Sequence, residues 1–275
     1  MSSVNPRATS FCPSVPTVTI DCDNDQGIAF DICVVRPRAD NPSKCEIDRD
    51  CVRSDMTWFT FSCPRKNIAA VANLPSLLEA LHLEENDIES FKPAFPQGSS
   101  VLTDVCLSGN KITRMENVHV PSSTTALTLR SNSVERIRFH PGLPNVETID
   151  LGENPIESIE DVSLPPSLSS LYLDGANITA AIFHSGLRNL HYLMLHNNPI
   201  SSFEVRTQSL ALKQIIITAP SLADVKLPDS VRNAEIFVRD MQGRDDYAAL
   251  ANLEELVHRA HFLLILVHLV KTFIR

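Results

Sequence analysis

With 275 residues, 43% of them hydrophobic, the chain can fill a continuous core in one or two domains. Its formal net charge of −9 argues against a nucleic-acid-binding surface, and no run of Lys or Arg steers it to a membrane. Six of the seven cysteines precede residue 64 and none forms C-x-x-C, which argues against a zinc site.

Residues 1–55 are rich in Pro and Asp and show little periodicity. Cys12, Cys22, Cys33, Cys45, Cys51 and Cys63 form an even, clustered set that predicts a disulfide-stapled N-terminal cap and an oxidising compartment. Their connectivity stays open. Met1 to Arg7 has no apolar h-region, so two expectations stand. Either the chain begins inside a longer precursor and is extracellular or at the cell surface, or the thiols are reduced and the protein is cytoplasmic. The clustering favours the first. Thr17 to Cys22 predicts a short edge strand. Asp21, Asp23, Asp25 and Gly27 resemble the start of a calcium loop, but the glycine comes one position late and Ile32 stands where Glu is required. An acidic turn is the preferred reading there, and no metal is expected.

Trp58 to Cys63 predicts a strand from its aromatic content, with Phe61, Cys63 and Ile68 facing inward. A template then recurs. Leu190 to Ile200 reads L-x-x-L-x-L-x-x-N-x-I, and its first slot falls at 78, 102, 124, 146, 168, 190 and 212, a period of 22 after one step of 24. The L-x-L core places two apolar side chains on one face of a short strand. The template asparagine turns inward, where its amide can serve backbone groups that have no strand partner. Asn86, Asn110, Asn132, Asn154 and Asn198 are expected to form such a ladder, with a gap at Ala176.

Between rungs, proline-rich segments such as Pro141 to Asn145 and Leu164 to Ser167 predict extended or 3-10 structure. A last, degenerate rung is placed at Val231, Ala234 and Ile236, with Glu235 pointing outward. After Gly243, Leu250, Leu253, Val257, Ala260, Leu264 and Val267 recur at helical spacing. His258, Arg259, His261, His268 and Lys271 interrupt any membrane-length run, so this is expected to be a capping helix or a juxtamembrane segment whose continuation is missing.

The repeated motif with its asparagines, behind a cysteine-rich region, resembles secreted and cell-surface leucine-rich-repeat proteins. It also looks like the extracellular portion of leucine-rich-repeat receptor-like kinases. The resemblance covers roughly residues 56–240. It implies a β-rich α/β-type repeat solenoid: a curved horseshoe of about eight rungs with a parallel concave sheet, a cap at 1–55 and a helical cap or juxtamembrane segment at 241–275. The L-x-G-x-I-P signature of one large plant-type subgroup is absent, so its ligands are not carried over.

Such solenoids bind partners on the concave sheet. The register gathers Tyr172, Tyr192, Met194, His196 and Ile216 on that face, side chains that interfaces favour. Glu84, Glu85, Asp104 and Asp150 make the other half more acidic. No phosphate loop, G-x-S-x-G or H-E-x-x-H is present, so no catalytic residue and no small-molecule cofactor is expected. His191 and His196 read as ordinary surface, and Cys106 as an exposed free thiol. The function expected is non-enzymatic recognition of a protein or peptide, without nucleic acid and with membrane contact only through a missing or truncated segment. The alternatives are the sensing ectodomain of a receptor-like kinase and an intracellular scaffold regulating a kinase or phosphatase. Asn177-Ile178-Thr179 is the one N-x-S/T acceptor. In the strict register Asn177 lies outside the ladder slot and is free to carry a glycan. A one-residue bulge would instead turn it inward.

Overall fold

The computed structural model describes residues 60–218 apart from 75–76, 96–100, 139–142, 144, 161–163, 184–188 and 206–211. It also describes 14–19, 33–37, 39, 45–48, 52–53, 224–226 and 235–239. Within these residues the chain is a parallel β-solenoid of stacked coils.

Its principal sheet has ten strands. Thr60–Ser62, Ala80–His82, Asp104–Cys106, Ala126–Thr128, Thr148–Asp150, Ser170–Tyr172, Tyr192–Leu195, Gln214–Thr218 and Glu235–Arg239 stack in parallel, and Val52–Arg53 adds an antiparallel edge. Alternation decides what each rung buries. Phe61, Leu81, Val105, Leu127, Ile149, Leu171, Leu193 and Ile215 lie in the core, as do the residues two further on, from Cys63 and Leu83 to Leu195 and Ile217. Each fully buried Leu or Ile contributes about 1.5–3 kcal/mol, realised only against the neighbouring rungs. Thr124, which stands where other rungs have Leu or Val, is fully buried, and its Oγ1 donates to Leu102 O at 3.0 Å.

The strand exits are built alike. Arg65, Glu85, Gly109, Ser131, Glu153, Gly175 and Asn197 all have φ between 54° and 67°, from Ser131 to Gly109. This left-handed step turns the next residue inward, at a cost for the non-glycine members. At five of these seven steps that next residue is Asn86, Asn110, Asn132, Asn154 or Asn198, none more than 8% exposed, while Lys66 follows Arg65 and Ala176 follows Gly175. The Asn132 amide donates to Leu107 O and Leu129 O, both at 2.9 Å, and its oxygen accepts from Ile112 N at 3.0 Å. Each amide thereby stitches its own rung to the previous one.

At the gap Ala176 is fully buried, and Asn177 beside it is exposed. The Ile156 N–H, which an asparagine at 176 would receive, turns to Asn154 O at 2.8 Å. Asn198 Oδ1 accepts from both Ala176 N at 3.0 Å and Ile178 N at 2.9 Å. The chain keeps the strict register without a bulge.

The far side differs from the predicted extended or 3-10 segments. Ser158–Glu160, Ala180–Phe183, Ser202–Val205 and Asp224–Lys226 form a second, four-stranded parallel sheet. Its inner side buries Ile159, Ala181, Phe183 and Phe203, the two phenyl rings edge to face with centroids 6.3 Å apart. Once the rungs stack at one period, extended segments behind them come into pairing distance as well. The single 3-10 turn among the described residues is Met115–Asn117. A third sheet joins Cys45–Asp48, Cys33–Pro37 and Thr17–Thr19 in antiparallel order, and Thr17–Thr19 pairs in parallel with Ala70–Val71.

The last rung is shifted from its predicted position. Ile215 pairs with Ile236 and Ile216 with Phe237, so Glu235 stands opposite Gln214, outside the central column. The step there is 21 residues, and it places Ile236 and Val238 at the two inward register positions that Ala234 and Ile236 were expected to take. The predicted C-terminal helix lies outside the described residues, as do Cys12, Cys22 and Cys51.

Candidate functional site

Neighbouring strands of the ten-stranded sheet pair without offset, so outward residues line up in straight columns. The central column reads His82, Cys106, Thr128, Asp150, Tyr172, Met194 and Ile216, all partly exposed. Tyr172 pairs with Met194 and Met194 with Ile216. At about 4.8 Å per strand these three cover roughly 10 Å of continuous apolar surface. Tyr192 stands one column over, between Ser170 and Gln214, and is 39% exposed. His191 lies beside it, with ring centroids 6.4 Å apart. His196 sits at the exit of the same strand. The structure therefore brings Tyr172, Tyr192, Met194, His196 and Ile216 onto adjacent strands of one sheet.

Beside this apolar patch lies an ion network that sequence reasoning missed. Arg130, Gly152, Asp174 and His196 occupy the same slot of successive rungs. Arg130 reaches past Gly152 and forms a two-point hydrogen-bonded ion pair with Asp174, Nη1 to Oδ1 at 3.2 Å and Nη2 to Oδ2. Nη2 also donates to Glu153 Oε1 at 2.9 Å, and Nη1 lies 3.6 Å from Asp150 Oδ1. Ser131 Oγ donates to the other Glu153 oxygen at 2.6 Å. His196 Nε2 is 3.8 Å from Asp174 Oδ2, and its buried Nδ1 has no hydrogen-bond partner among the described residues. The available signal was an opposite charge two periods away with the smallest residue in between.

Environment separates the carboxylates. Burial pushes Asp174 up, but the hydrogen bonds and charge of Arg130 outweigh it and leave Asp174 below the usual carboxylate range. For Asp150 burial wins over the Gly152 N–H and Arg130, and its pKa is raised. Glu153, mostly exposed, is lowered by the Ser131 hydroxyl first and Arg130 second.

The other half of the sheet is acidic. His82 lies between Glu84, 3.8 Å from its Nδ1, and Asp104, 3.9 Å from its Nε2. Cys106, expected to be exposed, is half-buried, because the solenoid packs His82 and Thr128 on its flanks. Burial pushes its thiol up to about 11, against the opposing contact with Ser108 Oγ at 3.4 Å. A protonated thiol is a poor nucleophile.

Among the described residues no group of three or more His, Cys, Asp or Glu side chains is arranged to hold a metal ion. Among those residues no helix is long and apolar enough to cross a membrane. No protein-family model and no curated protein matches the chain.

Proposed function

We propose that this chain is a non-enzymatic recognition module of the leucine-rich-repeat type, which binds a protein or peptide on the outward side of its ten-stranded sheet. One observation carries the reading: Tyr172, Met194 and Ile216 form a partly exposed apolar column with the exposed Tyr192 beside it. Aromatic and Met side chains in this setting are what interfaces are built from, and a contiguous exposed apolar patch marks a contact surface. The ladder of five buried asparagines supports the leucine-rich assignment.

The proposed setting is extracellular, with the N-terminal cysteines paired. The clustering of six of the seven cysteines before residue 64 supports this. The test is affinity capture from extracellular fluid and membrane extracts, with the wild-type chain against Tyr192→Ala/Met194→Ala. A partner held by the wild type and lost by a folded double variant supports the site. Equal capture by both removes it.

A further inference from the structure

We infer that Asn177 is an N-glycosylation site built into the turn between the two sheets. The inference rests on the extracellular setting proposed above. Five other asparagines at the strand exits, at 86, 110, 132, 154 and 198, are buried with their amides spent on backbone carbonyls. Asn177 differs from these five. In its rung Ala176 takes the buried slot, and Asn177 is exposed with φ 65°, a left-handed conformation that asparagine tolerates well. Its side-chain amide makes no hydrogen bond among the described residues.

The acceptor triplet alternates between exposed and buried residues. Ile178 is fully buried, and its N–H is held by Asn198 Oδ1 at 2.9 Å. Thr179 is exposed again, with its N–H donating to Glu157 O at 3.0 Å. Asn177 and Thr179 thus present outward together while the residue between them anchors the turn. Transfer from a polyprenyl-diphosphate-linked oligosaccharide joins sugar C1 to Asn177 Nδ2. The C1–O bond to the diphosphate breaks, the lipid diphosphate leaves, and Nδ2 loses a proton. No buried hydrogen bond has to be given up. The site lies past the strand exit, beyond the inward-facing Ala176, so a glycan there leaves Tyr172, Tyr192 and Met194 uncovered.

The test is translation of the full chain behind a cleavable secretion leader into microsomes, which reads modification on the translocated chain whether or not it is later secreted. One glycan is expected, removed by a peptide amidase that leaves aspartate at 177. Asn177→Gln and Thr179→Ala are each expected to abolish it, and Thr179→Ser to retain it. An unmodified Asn177 in translocated chain, or an Asn177→Gln variant that still carries the glycan, overturns the proposal. The extracellular setting is judged separately, by counting thiols on the protein from its native source.

Discussion

Arg130 and Asp174 are 44 residues apart and closed into a two-point ion pair across an intervening rung. Gly152 makes the span possible. A Cβ there would collide with Arg130 Nη1, stand 3.0 Å from Cζ and lie 3.1 Å from Asp150 Oδ1. The backbone at this glycine is not the reason for it; the space above it is.

Gly152→Ala is therefore expected to destabilise the solenoid by pushing the Arg130 guanidinium off Asp174, at a cost of at most about 2 kcal/mol because the far end of that side chain can move away. Arg130→Met should cost about 2 kcal/mol, because it leaves the Asp174 carboxylate without its cation. In the double variant the two losses should not add, since the methionine removes the guanidinium that the alanine strikes. Urea denaturation of the four proteins checks this, and full additivity would show that Gly152 is not there to admit Arg130.

The same network sets a pH dependence. Asp174 has a folded pKa below its ordinary value, so it contributes stability at neutral pH that is lost as pH falls through the carboxylate range. Asp150 has a raised pKa and acts in the opposite sense: its charge disfavours the fold at neutral pH, and protonation relieves that. Asp174→Asn should flatten the acid limb of a stability-versus-pH curve, and Asp150→Asn should steepen it. Identical limbs in both variants would place the acid sensitivity elsewhere.

The ladder gap predicts an asymmetry. Leu129 O accepts from both Asn132 and Asn154, so either loss leaves it one donor. Leu151 O, among the described residues, has only the Asn154 amide, because Ala176 offers none. Asn154→Ala orphans Val134 N and Leu151 O, whereas Asn132→Ala orphans only Ile112 N. The first should cost more by about 1–3 kcal/mol, the cost of one further unsatisfied buried group. Equal denaturation midpoints would contradict it.

Cys106 should react slowly in the folded protein. A thiol moved from 9.0 to about 11 has on the order of 100-fold less thiolate at neutral pH. Alkylation followed by mass spectrometry should show that ratio between native and urea-unfolded protein at Cys106. Fast native labelling would mean the half-buried environment opens readily.

Much of the solenoid was legible in the sequence because its determinants are local. Alternation with period two chooses Leu127 and Leu129, or Leu193 and Leu195, for the core, and recurrence at 22 residues stacks them. The same arithmetic placed Tyr172, Met194 and Ile216 in one column. Other features needed the rungs assembled. The left-handed step at Glu85, Ser131 and Glu153 has no residue signature, since the stacked turns impose it on side chains that would not choose it. The second sheet pairs segments that read only as extended chain, and pairing required their neighbours at a fixed distance. Cys106 takes its burial from flanking strands about 22 residues away on either side. The Arg130–Asp174 pair depends on three rungs at once, because whether two charges meet is decided by what the residue between them leaves empty.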